Sequence, residues 1–268
     1  MSIAISKDGT LIAFSESGNG PALVLVDGAF CYRDHGVSPG LVPLLSNRFT
    51  VYSYDRRGRG ESSDTNPYSV DREIEDLQAI IEATGETPFI CGMSSGAALL
   101  IQAINKGVNA KKIALFEPPY IAINENDVPP PKGAKTILEN FAKQGKKTDA
   151  VKYFMTRVMG MPALFVFLFR IFGKSLWKKN EGVAHTLAYD VAIMGNFSLP
   201  GELLEKISLP TLVIGGEKSP EKLLNAVKAV SWRISNSELC LLKGQSHNVS
   251  MKVLAPEITH FFNHRQPF

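Results

Sequence analysis

Gly92-Met93-Ser94-Ser95-Gly96 stands between two contrasting patterns. Before it, Pro88-Phe89-Ile90-Cys91 is a short apolar run of strand character; after it, Ser95 to Lys106 is small, apolar and helical in pattern. A serine on so sharp a strand-to-helix turn needs glycines beside it, because neighbouring side chains would collide. The turn holds the hydroxyl above the sheet edge and aims the next backbone N–H at the same point. A G-x-S-x-G in this context is a nucleophile elbow, which makes Ser94 the candidate nucleophile. Without the flanking strand and helix the same five residues are a common glycine-rich turn.

Working outward, short β-rich runs alternate with helical ones. Ile3–Ser6 and Leu11–Ser15 flank the turn Lys7-Asp8-Gly9 and read as a hairpin. Ala22–Val26, Phe49–Tyr54, Ile113–Phe116, Thr211–Ile214 and Glu238–Leu242 are further strand candidates. Val70–Ala83 carries Ile74, Leu77, Ile80 and Ile81 on one helical face, and Pro220–Val230 and Lys252–Phe262 are also amphipathic. This alternation implies an α/β protein: a mostly parallel twisted sheet with helices on both faces. Between Pro118 and Pro200 the alternation stops. The pattern there is helical throughout and begins with the breaker run Pro129-Pro130-Pro131. The chain is therefore expected to comprise a core, residues 1–118 and 201–268, and an all-helical lid, or cap, insertion over 119–200.

Composition narrows the function classes. A chain of 268 residues buries a substantial core without metals or disulfides. Net charge is only +3, and the basic pairs Lys111/Lys112, Lys146/Lys147 and Lys178/Lys179 are dispersed, so no nucleic-acid partner is expected. Cys31, Cys91 and Cys240 are scattered, with no C-x-x-C spacing, which argues against a disulfide framework or a zinc site. The N-terminus lacks the basic start and apolar stretch of a signal peptide. The longest apolar segment, Met161 to Phe172, is interrupted by Arg170 and falls short of the roughly 20 residues that span a bilayer. The expectation is a cytoplasmic protein without a membrane span.

A second motif, Tyr54-Asp55-Arg56-Arg57-Gly58-Arg59-Gly60-Glu61-Ser62, resembles the D-x-R-G-x-G-x-S loop of the α/β-hydrolase superfamily, in its esterase, lipase and peroxidase-like branch. In that resemblance the loop is structural and lies below the active site, so neither Asp55 nor Arg57 is a catalytic candidate. The resemblance assigns three further roles. Val26-Asp27-Gly28-Ala29-Phe30 occupies the place of a His-Gly-x segment, which makes Ala29 and Met93 the candidate oxyanion-hole donors. Such donors matter because negative charge develops on the substrate oxygen in the transition state. Asp27 replaces the usual histidine, and a carboxylate near that site is unfavourable unless it points away. Gly244-Gln245-Ser246-His247-Asn248, between the last strand and the last helix, matches the family's histidine loop, so His247 is the candidate base. The remaining histidines are His35, near the oxyanion loop; His185, in the lid; and His260 and His264, one turn apart near the C-terminus.

The acid is left open. Relatives carry an aspartate shortly after the strand Thr211–Ile214, where this chain has Ser219 in Gly215-Gly216-Glu217-Lys218-Ser219-Pro220. Serine hydrogen-bonds an imidazole but does not offset its charge. Glu117, in Phe116-Glu117-Pro118-Pro119, follows an earlier strand and keeps the chain order of serine, acid and histidine. Glu217 is the second candidate, and the third possibility is that no acid is present.

The lid run Ala163–Phe169, with Met155, Met159, Met161 and Met194 nearby, is densely apolar. It reads as the roof of a pocket for a lipophilic small molecule, as a helix packed on the core or on a second subunit of a homo-oligomer, or as an interfacial membrane helix. Against the last stands a polar face that is not strongly basic. The resemblance implies a serine hydrolase of esters or thioesters of small, largely apolar substrates, with no cofactor and no metal. The competing class is a non-catalytic small-molecule binder with an incomplete triad, since one fold hosts many functions.

Overall fold

The computed structural model describes residues 1–122 and 129–264. Eight strands make one sheet: β1 (Ser2–Ile5), β2 (Leu11–Ser17), β3 (Ala22–Val26), β4 (Thr50–Tyr54), β5 (Phe89–Met93), β6 (Ile113–Phe116), β7 (Thr211–Gly216) and β8 (Ser237–Leu242). Their spatial order is β1-β2-β4-β3-β5-β6-β7-β8. The expected hairpin forms β1 and β2, which join β4 through antiparallel pairing, and every pairing from β4 to β8 is parallel. β3, β5, β6 and β7 are buried at every position. Sandwiched strands have no wet face, so their residues read as continuous apolar runs rather than alternating ones.

Helices cover both faces. α1 (Ser38–Leu45) and α11 (Met251–Asn263) lie on one side, where Leu41, Leu45, Leu254 and Ile258 pack with Leu23, Leu25, Cys91 and Phe116. α2 (Val70–Ala83), α3 (Ser95–Asn105) and α10 (Glu221–Arg233) lie on the other, with Leu77, Leu99 and Val227 against Val24, Val26 and Leu115. Successive residues of each strand thus serve opposite layers. α1 escaped the sequence reading because it contains Pro39 and Pro43. Pro39 falls in the first turn, where the missing N–H has no partner to lose.

Between β6 and β7 no strand occurs among the described residues. The segment comprises α4 (Ala134–Lys143), α5 (Lys147–Tyr153), a π-helical turn (Phe154–Val158), α6 (Ala163–Phe172), α7 (Lys174–Gly182), a 3-10 turn (Ala184–Thr186), α8 (Leu187–Met194) and α9 (Gly201–Glu205). It has a core of its own, in which Leu138, Val151, Phe154, Trp177 and Leu187 meet Phe30 of the β3–α1 loop. Leu204 of α9 packs with the sheet core instead. Residues 123–128 of the expected lid span and 265–268 of the expected core lie outside the described residues.

Candidate active site

Ser94 follows β5 directly and caps α3 in a conformation that L-residues rarely adopt, φ 52° and ψ −120°. Close packing enforces it. A Cβ on Gly96 would lie 2.1 Å from the Val26 carbonyl oxygen, and one on Gly92 would lie 2.7 Å from Ala97 Cα. The glycines are there so that β3 and α3 can approach the turn. The Ser94 side chain makes no capping hydrogen bond to α3 and is only half-buried, so its hydroxyl stays available.

The sheet register then sets the neighbour. Met93 pairs with Phe116, and Phe116 with Ile214, so Ser94 and Glu117 occupy equivalent positions at the ends of adjacent parallel strands. The Ser94 N–H donates to Phe116 O at 2.8 Å, and the Glu117 N–H donates to Ile214 O at 3.0 Å. Glu117 is fully buried and also has a positive φ, 44°. Its Oε2 lies 2.6 Å from His247 Nδ1, while its Oε1 accepts from Gly216 N–H at 2.7 Å and from the Ser219 hydroxyl at 2.5 Å. Burial acts to raise the Glu117 pKa, but the hydrogen bonds from His247, Gly216 and Ser219 outweigh it and hold the carboxyl below its usual range. Glu117 and His247 are therefore joined. Glu217 is exposed, and its Oε2 accepts from Gly244 N–H at 3.2 Å. Ser219, standing where an aspartate was expected, supports the carboxylate that reaches the histidine.

His247 is half-buried on the loop between β8 and α11, and its ring lies beside that of Phe116, with centroids 6.0 Å apart. With Nδ1 engaged by Glu117, Nε2 is the nitrogen left for proton transfer.

The β3–α1 loop is pressed against the elbow. A Cβ on Gly28 would lie 2.8 Å from Met93 O and 3.1 Å from Ser94 Cβ. Ala29, half-buried, follows this contact. Met93 does not suit the donor role expected of it. It is the last residue of β5, and since the Ser94 N–H donates toward β6, the N–H one residue earlier points along the sheet toward β3. Ala97 and Ala98 N–H both bond Ser94 O, so the preceding groups in the first turn of α3, Ser95 and Gly96, have no carbonyl within the helix. Of these, the Ser95 N–H is the one that directly follows Ser94.

Asp27 is buried, and its Oδ2 accepts from the Ser38 hydroxyl at 2.7 Å in the first turn of α1. Its Oδ1 has no partner among the described residues. Burial, only partly offset by Ser38, Arg59 and Arg56, pushes its pKa up to about 6.

Beneath the loop lies an ionic layer that sequence reasoning left without partners. Arg56 forms a fork with Glu73 at 2.7 and 2.8 Å and reaches Asp190 of α8 at 2.8 Å. Arg57 pairs with Asp76 and Asp8. Arg59 donates to Asp190 at 2.7 Å and to Gly28 O at 2.7 Å. The Ser95 hydroxyl also donates to Asp190 Oδ1, at 2.7 Å. One lid carboxylate thus joins the elbow, the loop bearing Ala29 and two arginines. Burial would raise the Asp190 pKa, but Arg59 and Arg56 hold it down. The Arg-rich run was visible in sequence, whereas Asp190, 131 residues beyond Arg59, carried no signal.

The other histidines lie outside this arrangement. His35 bonds Asn180 at 3.2 Å, His185 is in the 3-10 turn, and the His260 and His264 rings meet at a tilt at the exposed end of α11. All three cysteines are free thiols, and no group of three or more His, Cys, Asp or Glu among the described residues is placed to hold a metal. A groove of about 570 Å³ between β1 and α2 contains none of the candidate residues.

Comparison with known proteins places the fold. The chain is 42% identical to an alpha/beta hydrolase from Sphaerobacter thermophilus, with a TM-score of 0.90 over 98% of this chain and 100% of that one. A bromoperoxidase from Bacillus anthracis (21% identity, TM-score 0.71, 98% and 99% of the two chains) shares the fold. So does an enol-lactonase from Burkholderia xenovorans LB400 (17% identity, TM-score 0.75, 98% and 100%). Among curated proteins, the probable oxidoreductase EphD of Mycobacterium tuberculosis is 42% identical over 119 residues, which is 41% of this chain and 20% of that protein. This chain therefore matches about a fifth of the length of that relative. Residues 22–254 match the model of the alpha/beta hydrolase family, and the chain belongs to that family.

Proposed function

We propose that the protein is a serine hydrolase that cleaves a carboxylic ester or thioester of a small, largely apolar substrate through an acyl-enzyme on Ser94. His247 takes the Ser94 proton and returns it to the leaving group. Glu117 holds the imidazole in the required tautomer and stabilises the imidazolium. The N–H groups of Ala29 and Ser95 receive the oxyanion, Ser95 replacing Met93 in that role. Water then deacylates the enzyme, and no cofactor enters the cycle. The segment 119–200 serves as the cap over the substrate.

The observation that carries this reading is the 2.6 Å contact between Glu117 and His247, with Glu117 in register beside the strained Ser94. A binder has no need to keep a buried carboxylate ionised against an imidazole. The test is turnover of a short- and medium-chain p-nitrophenyl ester series, wild type beside Ser94→Ala, together with labelling by a fluorophosphonate probe. Activity and labelling that vanish in Ser94→Ala support the proposal, and the chain-length profile sizes the pocket. Folded wild type that neither turns over nor labels favours a non-catalytic binder.

A further inference from the structure

α6 faces the wrong way for a helix of a soluble cap. At 3.6 residues per turn, Leu164, Phe165, Phe167, Leu168, Ile171 and Phe172 fall within an arc of roughly 160°. All six are exposed, Leu164 at 69%, Phe165 at 54%, Phe167 at 53% and Phe172 at 82%. The inward side is thin. Val166 is the only buried residue of the helix, and Phe169 packs edge-on against Trp177 at 5.9 Å. Burying one stripe toward the core and wetting the other is the ordinary arrangement. Here the outward stripe is the apolar one. Met159 before the helix and Leu176 in α7 extend it, at 46% and 48% exposure. A contiguous exposed apolar patch of this kind marks a surface that is covered in use.

Charge decides what covers it. The α6 helix itself supplies only Arg170, which is why its own polar face reads as weakly basic. The π-helical turn and α7, both packed against α6, add Arg157 and Lys174, Lys178 and Lys179. With Lys152, residues 150–180 hold six basic side chains, all exposed, and no acidic one. A second copy docking through the same patch would bring two such cationic sets together. An anionic surface would be attracted to the cations while the aromatic face leaves water.

We propose that α6, flanked by these cations, docks the cap onto an anionic phospholipid surface, lying in the interface without crossing it. No helix among the described residues is long and apolar enough to cross a membrane. The inference stands apart from the chemistry assigned to Ser94 and is tested without any activity measurement.

The experiment is co-sedimentation of the full chain with vesicles of phosphatidylcholine alone or mixed with phosphatidylglycerol, at low and high salt. The expected result is binding to the mixed vesicles, weak binding to phosphatidylcholine alone, and loss of binding as salt screens the cations. Phe165→Ser/Phe172→Ser and Lys174→Glu/Lys178→Glu should each weaken it about tenfold or more, with unchanged thermal unfolding because all four side chains are exposed. Phe165→Trp should shift its fluorescence to the blue on mixed vesicles. Absence of binding to mixed vesicles, or undiminished binding by both double variants, overturns the proposal. A concentration-dependent dimer that Phe165→Ser/Phe172→Ser dissociates also overturns it and assigns the patch to a second copy.

Discussion

The two strands flanking β5 each run into a buried carboxylic acid, Glu117 after β6 and Asp27 after β3, and the two behave in opposite ways. Glu117 receives hydrogen bonds from Gly216, Ser219 and His247 and is held ionised. Asp27 receives one, from Ser38, leaves an oxygen unpartnered, and keeps its proton up to about pH 6. Both side chains are shut off from solvent, but burial weighs more heavily on Asp27 and it has fewer donors to offset it, so the two acids take opposite charge states. The result suits the chemistry proposed for Ser94. A fixed negative charge stands beside the histidine, and below about pH 6 Asp27 places none in the loop that bears Ala29.

The largest effect should come from the ionised side. Glu117→Gln keeps an acceptor for Gly216 and Ser219 but loses the charge, and turnover should fall roughly 10³–10⁴-fold, as when a triad acid is replaced by its amide. Thermal unfolding at neutral pH should change far less than turnover. Unimpaired turnover of p-nitrophenyl esters would break the contrast between the two acids.

Next comes the layer that supports the loop after Asp27. Asp190→Asn leaves Arg59 without its carboxylate and Arg56 with Glu73 alone. Breaking a buried pair on one side costs about 3–5 kcal/mol, read as a lower urea midpoint. Turnover should fall as well, because Arg59 also bonds the carbonyl of Gly28, the residue whose α-carbon packs against Ser94. A stable variant with normal turnover would detach the lid from the loop.

Asp27→Asn isolates the neutral side. The folded-state pKa of about 6 lies above the ordinary 3.8, so the Asp27 contribution to stability is full below about pH 4 and is lost as pH rises through 6. The variant should therefore gain stability on the wild type across that window, by on the order of 3 kcal/mol at pH 7. Asp76, also raised to about 6, titrates in both proteins and cancels in the difference. Parallel stability curves in urea from pH 4 to 7 would show that folding does not raise the Asp27 pKa.

The smallest effect belongs to Glu217→Gln. The side chain is exposed and, among the described residues, accepts a bond from the Gly244 backbone alone, so turnover and stability should shift by less than about 0.5 kcal/mol. A large loss of turnover would move the acid to Glu217.

Local pattern was enough for the core of this molecule. Apolar runs without alternation marked β3, β5, β6 and β7, because sandwiched strands have no wet face. The glycines around Ser94 announced the elbow, and the loop after β8 announced His247. Those signals are carried by consecutive residues, so a sequence displays them directly. Three matters were not local. Which acid meets His247 depended on β6 and β7 being adjacent and in register, which brings Glu117 and Ser219 to one place although 102 residues separate them. Which backbone N–H is open at the elbow depended on the direction of peptides along β5, which turns the Met93 N–H toward β3 and underlies the proposal of Ser95 as oxyanion donor. The apolar face of α6 was plain in sequence, but its outward direction was set by the packing of Val166 and Phe169 on the opposite side. Sequence by itself determined which residues are strand, turn and nucleophile candidate, since these follow from neighbours along the chain. Partners and facing were decided only by tertiary structure, because they depend on contacts between segments far apart in sequence.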